Sequence, residues 1–340
     1  MVGWLFKKYF FAIVPGKERC DVTICAYKQK KRLFKETKHF EGEFASDEMA
    51  RYARKYSEET PYFYVSTLNP DPNQGALEGC SIHDIDDGEE MKGIRTLCRK
   101  QKWMLYTSEK ELDALQKRFV KTGLDFVFSP FSVLERFFAD KIAGKVAVYV
   151  LAQKDALSVA FFEEGRIEYA NHYTMHRAET EMTVGEAVGI GFSVGVEEER
   201  GRGIHLDEIE SLEDLEIIED LDDLGNIEDL DTLEEIVEFS EDEPVLEEKR
   251  PQISFTKEEN EGFNDDFYRF ELIEKTLARF YNGEHCRNRF VETVYIADAY
   301  GSSSELKRYL EEELFVSVVV RKIDLGEEII GLSLLETGLS

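Results

Sequence analysis

The sequence predicts an α/β protein of two similar halves, with a strongly acidic segment inserted in the second. Three observations predict it. Hairpin-linked strands open the chain, and a similar set opens again near residue 145. Helices and strands alternate after each set. One block, Glu197 to Glu248, holds most of the net charge. The length of 340 residues suits two domains of ~100–200 residues each. With 42% hydrophobic and 33% charged residues, the composition is that of a globular chain. The longest apolar runs, Tyr9–Val14 and Leu314–Val320, are far shorter than the ~20 residues a bilayer-spanning helix needs, so no span of its own is expected. Met1 to Lys8 places its lysines after its apolar residues, which is not the order of a secretion signal.

In the first half, Tyr9–Val14 and Asp21–Tyr27 read as strands about the Pro15-Gly16 turn, and Lys31–His39 as a third. Asp47–Tyr56 reads as a helix capped by Ser46, with Met49, Tyr52, Ala53 and Tyr56 at helical spacing. The β-branched and aromatic run Tyr62–Thr67 reads as a strand. Asn69 to about Gly93 is polar and broken. Trp103–Tyr106 then reads as a short strand, Glu109–Phe119 as a helix capped by Ser108, and Leu124–Phe128 as a buried strand. Pro130 in the first turn and Ser129 as cap start a helix that runs to about Ala139.

In the second half, strands Lys145–Leu151, Ala156–Phe162 and Ile167–Tyr173 repeat the opening pattern. Val184–Val194, with Gly185, Gly189 and Gly191 inside it and Gly195 just after, reads as a helix entrance or a loop. After the acidic block, Asp265–Tyr281 reads as a helix with Phe270, Ile273, Leu277 and Phe280 on one side. Strand Val291–Ala297, a tight loop Ala299–Ser303, helix Ser304–Leu314 and strand Phe315–Ile323 follow. The expected boundaries are residues 1–140 for the first half, with an inserted subdomain at about 69–122. Residues 141–196 and 249–340 form the second half, and 197–248 the insert.

The formal net charge is 42 − 71 = −29. Glu197–Glu248 has 24 acidic residues and two arginines, hence −22, and leaves −7 to the other 288 residues. Such a block repels phosphate backbones, which excludes nucleic acid as a partner. From Leu206 to Phe239 an apolar residue recurs every third position without a gap. At ~100° per residue this stripe circles a helix and offers no single face for burial. A disordered, solvated insert follows from charge and composition. The alternative is an extended chain whose apolar residues, among them Leu212, Leu215, Leu221, Leu224, Leu230 and Leu233, align along one edge and dock on a basic partner.

The five cysteines are odd in number and contain no CxxC pair. A disulfide framework and a structural zinc site are not expected, and a reducing cytoplasm is. There is no GxxxxGK[ST] loop and no Gly-x-Ser-x-Gly elbow. Asp84–Glu90 has its glycine one place early for an EF-hand and Arg95 at the twelfth position, so it reads as a solvated loop. His172 and His176 lie in strand and turn with no third ligand evident, and read as surface histidines.

Two halves that each open with hairpin-linked strands and return through helix and strand resemble the duplicated ribonuclease-H, or actin-like ATPase, fold. The stretch from Val294 to Leu306, with the helix to Leu314, resembles that superfamily's strand–glycine turn–helix element. It is most similar to the PilM family of type IV pilus assembly. Glu271–Leu277, the hairpins of Val146–Tyr173 and Ser129–Leu134 are also similar to PilM and to the cytoplasmic part of GspL of type II secretion. GspL continues into a membrane span and a periplasmic domain. This sequence ends at Ser340 with neither, so the separate-subunit PilM arrangement is the expectation.

The resemblance implies a cytoplasmic protein peripheral to the inner membrane. Its implied partner is the tail of a PilN-like bitopic membrane protein, with self-association into a ring. The machine it implies is a type IV pilus, a type II secretion system or a flagellar motor accessory. Actin-like ATPases hold phosphate on two glycine-rich hairpins, each led by an Asp. Here Ala12–Glu18 has one glycine and no leading Asp, and Val150–Asp155 has no glycine. The expectation is therefore a scaffold without catalytic residues, metal or cofactor. Gly301, Ser302 and Ser303 are what would remain of a nucleoside-binding turn. Two alternatives stand beside it: an ATP-binding ATPase or kinase, and a soluble acidic regulator with a basic partner.

Overall fold

The computed structural model describes residues 6–42, 47–80, 93–175, 257–283, 289–301 and 304–339. The period-three leucines, Val184–Val194, Asp84–Glu90, His176, Ser46, Ser302 and Ser303 lie outside them. The first sheet begins with β1 (Lys8–Val14), β2 (Arg19–Lys28) and β3 (Lys31–Glu41), an antiparallel meander. Helix α1 (Asp47–Ser57) carries the chain to β4 (Phe63–Leu68), which lies parallel to β1. The next strands, β5 (Gly75–Glu78), β6 (Ile94–Arg99) and β7 (Trp103–Ser108), leave this sheet. Helix α2 (Glu109–Arg118) and β8 (Phe126–Phe128) return to it, and β8 lies parallel to β4.

Helix α3 (Pro130–Phe137) starts as the sequence indicates, with Ser129 Oγ accepting the Phe131 N–H. It leads to β9 (Ala147–Ala152), β10 (Ala156–Glu163) and β11 (Arg166–Thr174), a second antiparallel meander. Helix α4 (Lys257–Asn282), β12 (Thr293–Asp298), α5 (Ser304–Glu313), β13 (Ser317–Lys322) and α6 (Leu325–Glu336) complete the chain.

The first sheet has the order β3-β2-β1-β4-β8, and the second contains β11-β10-β9-β12-β13. Each is an antiparallel triplet joined to two parallel crossover strands. Each is therefore the ribonuclease-H order, and its duplication is the actin-like fold. The inner helices are exchanged. Helix α3 of the first half lies against β9 and β10, whereas α6 of the second lies against β1, β2 and β4, and the two helices touch each other. One core results, holding Phe10, Phe131, Phe138, Tyr149, Ile329 and Ile330 together. The outer faces carry their own cores: α1 and α2 over the first sheet, α4 and α5 over the second. Apolar burial on both faces of each sheet is what drives this layering.

The joint of α6 with the first sheet is close. A Cβ on Gly326 would lie 2.2 Å from Thr23 Oγ1 and 2.6 Å from Thr23 Cβ. Thr23 is a stiff β-branched residue in β2 and has no room to move away. Gly326→Ala is expected to lose about 1–3 kcal/mol to overpacking, read as a lower denaturant midpoint.

Three findings differ from the sequence reading. The stretch read as polar and broken contains β5, and β6 follows it. Strands β5, β7 and β6 extend the second sheet beyond β11, giving eight strands in the order β13-β12-β9-β10-β11-β5-β7-β6. Cys80 and Cys98 are joined in a disulfide, with Cα atoms 5.3 Å apart, while Cys20 and Cys25 are free and buried. An odd cysteine count excludes complete pairing, not a single bridge. His172 is half-buried in β11 rather than a surface residue, with Nδ1 2.8 Å from Ser158 Oγ.

Candidate functional site

The β1–β2 turn and the β9–β10 turn meet where the two halves face each other. Both are where an actin-like ATPase would present backbone N–H groups to phosphate. Here they bind one another. The Asp155 carboxylate accepts the Lys17 N–H at 2.9 Å, and Lys17 Nζ donates to the Met175 carbonyl at 2.5 Å. Lys154 pairs with Glu18 at 3.1 Å, an exposed contact of little energetic weight. Gly16 is needed for this approach: a Cβ there would stand 2.5 Å from the Arg19 carbonyl and 3.2 Å from Asp155 Oδ2.

Arg269 of α4 braces the second turn from behind. Its guanidinium donates to the carbonyls of Gln153 at 3.0 Å and Lys154 at 3.3 Å, and to Asp266 at 3.2 Å. It stacks on the Tyr300 ring 4.1 Å from the centroid. Asp266 also accepts the Tyr300 hydroxyl and the Leu306 N–H. The ion pair is almost wholly enclosed, with 1% and 2% of the two side chains exposed. Burial raises the Asp266 pKa above the ordinary carboxylate value, and the bonds from Tyr300, Leu306 and Arg269 oppose it.

The third element behaves alike. Asp298, at the end of β12, accepts the N–H groups of Tyr300 at 3.1 Å and Gly301 at 2.8 Å. Gly301 takes a φ of +87°, which favours glycine. Its donor is satisfied inside the turn and not presented to a ligand.

Two adjoining cavities open at the turns. One, of about 290 Å³, is lined by Gly16, Leu68, Asn69, Arg118, Asp155 and His172. The other, of about 390 Å³, carries Glu18, Asp21 and Asp155 against Arg19 and Lys154. Both cations are already paired, Arg19 with Asp21 at 2.9 Å and Lys154 with Glu18. Acids outnumber cations three to two in this second cavity, whereas the first sets Lys17 and Arg118 against Asp155 alone. No cluster of three metal-ligating side chains occurs among the described residues.

His172 lines the first cavity. Burial lowers its pKa from 6.5 to about 4, and Asp71 opposes the shift. The folded protein therefore keeps the imidazole neutral at pH values where the unfolded chain protonates it. The stability this gives is complete above pH 6.5 and is lost as pH falls from 6.5 towards about 4. The slope in that window is about 1.4 kcal/mol per pH unit. His172→Gln is expected to flatten it, seen in denaturant midpoints measured across the window.

The turns themselves are legible in the sequence, because Gly16 alone stands where two glycine-rich hairpins would be. Arg269 and Asp266 were not, although both fall on the apolar stripe of Phe270, Ile273 and Leu277 at three-to-four-residue spacing. Two opposite charges on a buried helix face were the available signal.

The family model named "Domain of unknown function (DUF8569)" matches residues 6–135. No curated protein matches the chain. Among solved structures, the chain is similar to a Bacteroides thetaiotaomicron protein with an actin-like ATPase fold and unknown function. Their identity is 10%, the TM-score 0.43, and 95% of each chain is covered. A PilM-PilN type IV pilus biogenesis complex gives 10% identity and a TM-score of 0.43, over 95% of this chain and 89% of that one. The ethanolamine utilization protein EutJ from Carboxydothermus hydrogenoformans gives 11% and 0.38, over 94% and 87%. These are likenesses of fold, and the fold itself is read from the strand order above. A further model, "Domain of unknown function (DUF8341)", matches residues 148–338, which is more than half of the sequence, and the chain belongs to that family.

Proposed function

We propose that this protein is an actin-like scaffold without catalytic activity, assembled through protein contacts. One observation carries the reading: the two turns that would cradle phosphate bind each other, through Asp155 and the Lys17 N–H. An ATPase needs the opposite arrangement, with free N–H donors and a carboxylate that positions a metal ion. Arg269 stabilises the closed arrangement by occupying the carbonyls of the second turn.

The partner follows from the sequence resemblance to PilM. It is the cytoplasmic tail of a bitopic inner-membrane protein, in a ring or platform of a type IV pilus, type II secretion or flagellar machine. No helix among the described residues is long and apolar enough to cross a membrane, so a membrane protein would supply the attachment. Crosslinked affinity purification from native membranes, with the full chain and a 197–248 deletion in parallel, tests this. Enrichment of one bitopic protein with its envelope machine is expected. Recovery of soluble proteins alone would refute the partner.

A further inference from the structure

The chain is strongly acidic, yet one end of its first sheet is basic. The β2–β3 hairpin turns through Gln29-Lys30, with Lys28 and Lys31 paired across it. Lys28, Lys30, Lys31 and Arg32 thus crowd a single tip. Lys8 is the cross-strand partner of Tyr27, so Lys7 and Phe6 run out alongside that tip. Thr60 holds the Lys7 carbonyl at 2.8 Å, and the Phe6 ring lies 5.9 Å from that of Tyr62. Lys8 Nζ stands 5.6 Å from the same tyrosine ring.

Two apolar side chains are exposed among these cations, Phe6 at 44% and Leu33 at 45%. Leu33 lies at a register shift. Ala26 pairs with Phe34 and Tyr27 with Arg32, so Leu33 has no cross-strand partner. Such a bulge re-aims a side chain and also spoils the edge for pairing. Lysines along β3 protect the same edge. A peptide adding a strand to β3 is therefore poorly served. A flat anionic surface with an apolar interior is served well, since lysines meet headgroup phosphates while phenylalanine and leucine enter the acyl boundary.

The acidic groups nearby do not cancel the charge. Glu58 and Glu59 stand at the start of the connection to β4, and Glu59 is engaged by the Tyr9 hydroxyl. Glu327 holds Arg32 at 2.7 Å and also meets Lys35. Lys7, Lys8, Lys28 and Lys31 remain the surplus among the described residues. Most of the chain's negative charge lies in Glu197–Glu248. Screening over a Debye length of about 8 Å lets a local basic surface act against such a net charge.

We infer that this end, the β2–β3 tip with Phe6, Lys7 and Leu33, binds the surface of an anionic lipid bilayer directly. The contact goes beyond the scaffold reading, since it requires no protein partner. The test is co-sedimentation of the full chain with protein-free vesicles, of phosphatidylcholine alone or mixed with phosphatidylglycerol. Binding to the mixed vesicles only, weakening as salt rises, is expected. The combined Lys28→Gln, Lys30→Gln, Lys31→Gln variant should bind on the order of 100-fold more weakly. Phe6→Ser with Leu33→Ser should weaken binding while leaving its salt dependence in place. All five positions are at the surface, so thermal midpoints should match the parent and confirm folding. Equal binding to both vesicle types, or by the lysine variant and the parent, would overturn the proposal. So would retention of a nucleic-acid duplex through these lysines without vesicle binding. A failure of the membrane-protein partner in native membranes would leave these results unchanged.

Discussion

Arg269→Met is expected to lower stability by about 3–5 kcal/mol, one of the two largest single effects in the molecule. It removes the partner of an enclosed carboxylate and leaves Asp266 in a site where 2% of the side chain is exposed. It also frees the Gln153 and Lys154 carbonyls, so the second turn loses its brace. Asp266 is already held above the ordinary carboxylate pKa by burial, and loss of the guanidinium moves it further up. Arg269→Met combined with Asp266→Asn should recover much of the loss. With its amide oxygen at the Oδ2 position the asparagine still accepts the Leu306 N–H, its NH2 can donate to the Tyr300 hydroxyl oxygen, and no unpaired charge remains. Denaturant titrations of the parent, the single and the double variant measure both values. A single-variant loss below about 1 kcal/mol would mean that Arg269 does not hold the turn.

Phe138→Ala is expected to cost about 3–5 kcal/mol. The ring is fully buried at the end of α3, 4.9 Å from Phe137, 5.4 Å from Tyr149 and 5.7 Å from Tyr295. These neighbours come from both halves, and Arg321 adds its guanidinium 5.4 Å from the same ring. The loss should be felt on both sheets together, because exchange of α3 and α6 gives the halves one core. Hydrogen exchange reads this directly. Amides of β1 and of β9 should lose protection in parallel, whereas loss confined to β9 would show that the halves are energetically separate.

The sequence made the two triplets of strands legible because each is an apolar run bounded by a short turn. It made α3 legible through its proline and serine cap. What it hid has physical causes. Helix α6 is buried between a sheet and α3, with Leu325, Ile329, Ile330 and Leu332 spread around it, so no apolar stripe marks it. Strand β5 is the four residues Gly75–Glu78, too short for a period of two to register. Strand β6 is exposed along most of its length and shows no buried face. The joining of β5 to β11 is a pairing between distant residues that no local pattern encodes. At the site, the missing glycines were legible. The ties that replace phosphate were not, because Asp155 and Lys17 are 138 positions apart.

The measurement that bears most directly on a scaffold without catalysis is calorimetric titration of the full chain with ATP and magnesium, with phosphate release followed in the same samples. No saturable heat and no phosphate above background are expected, since the two turns are tied to each other through Asp155 and the Lys17 N–H. Stoichiometric binding with turnover that disappears in Asp155→Asn would contradict the account, and would make these turns a working nucleotide site.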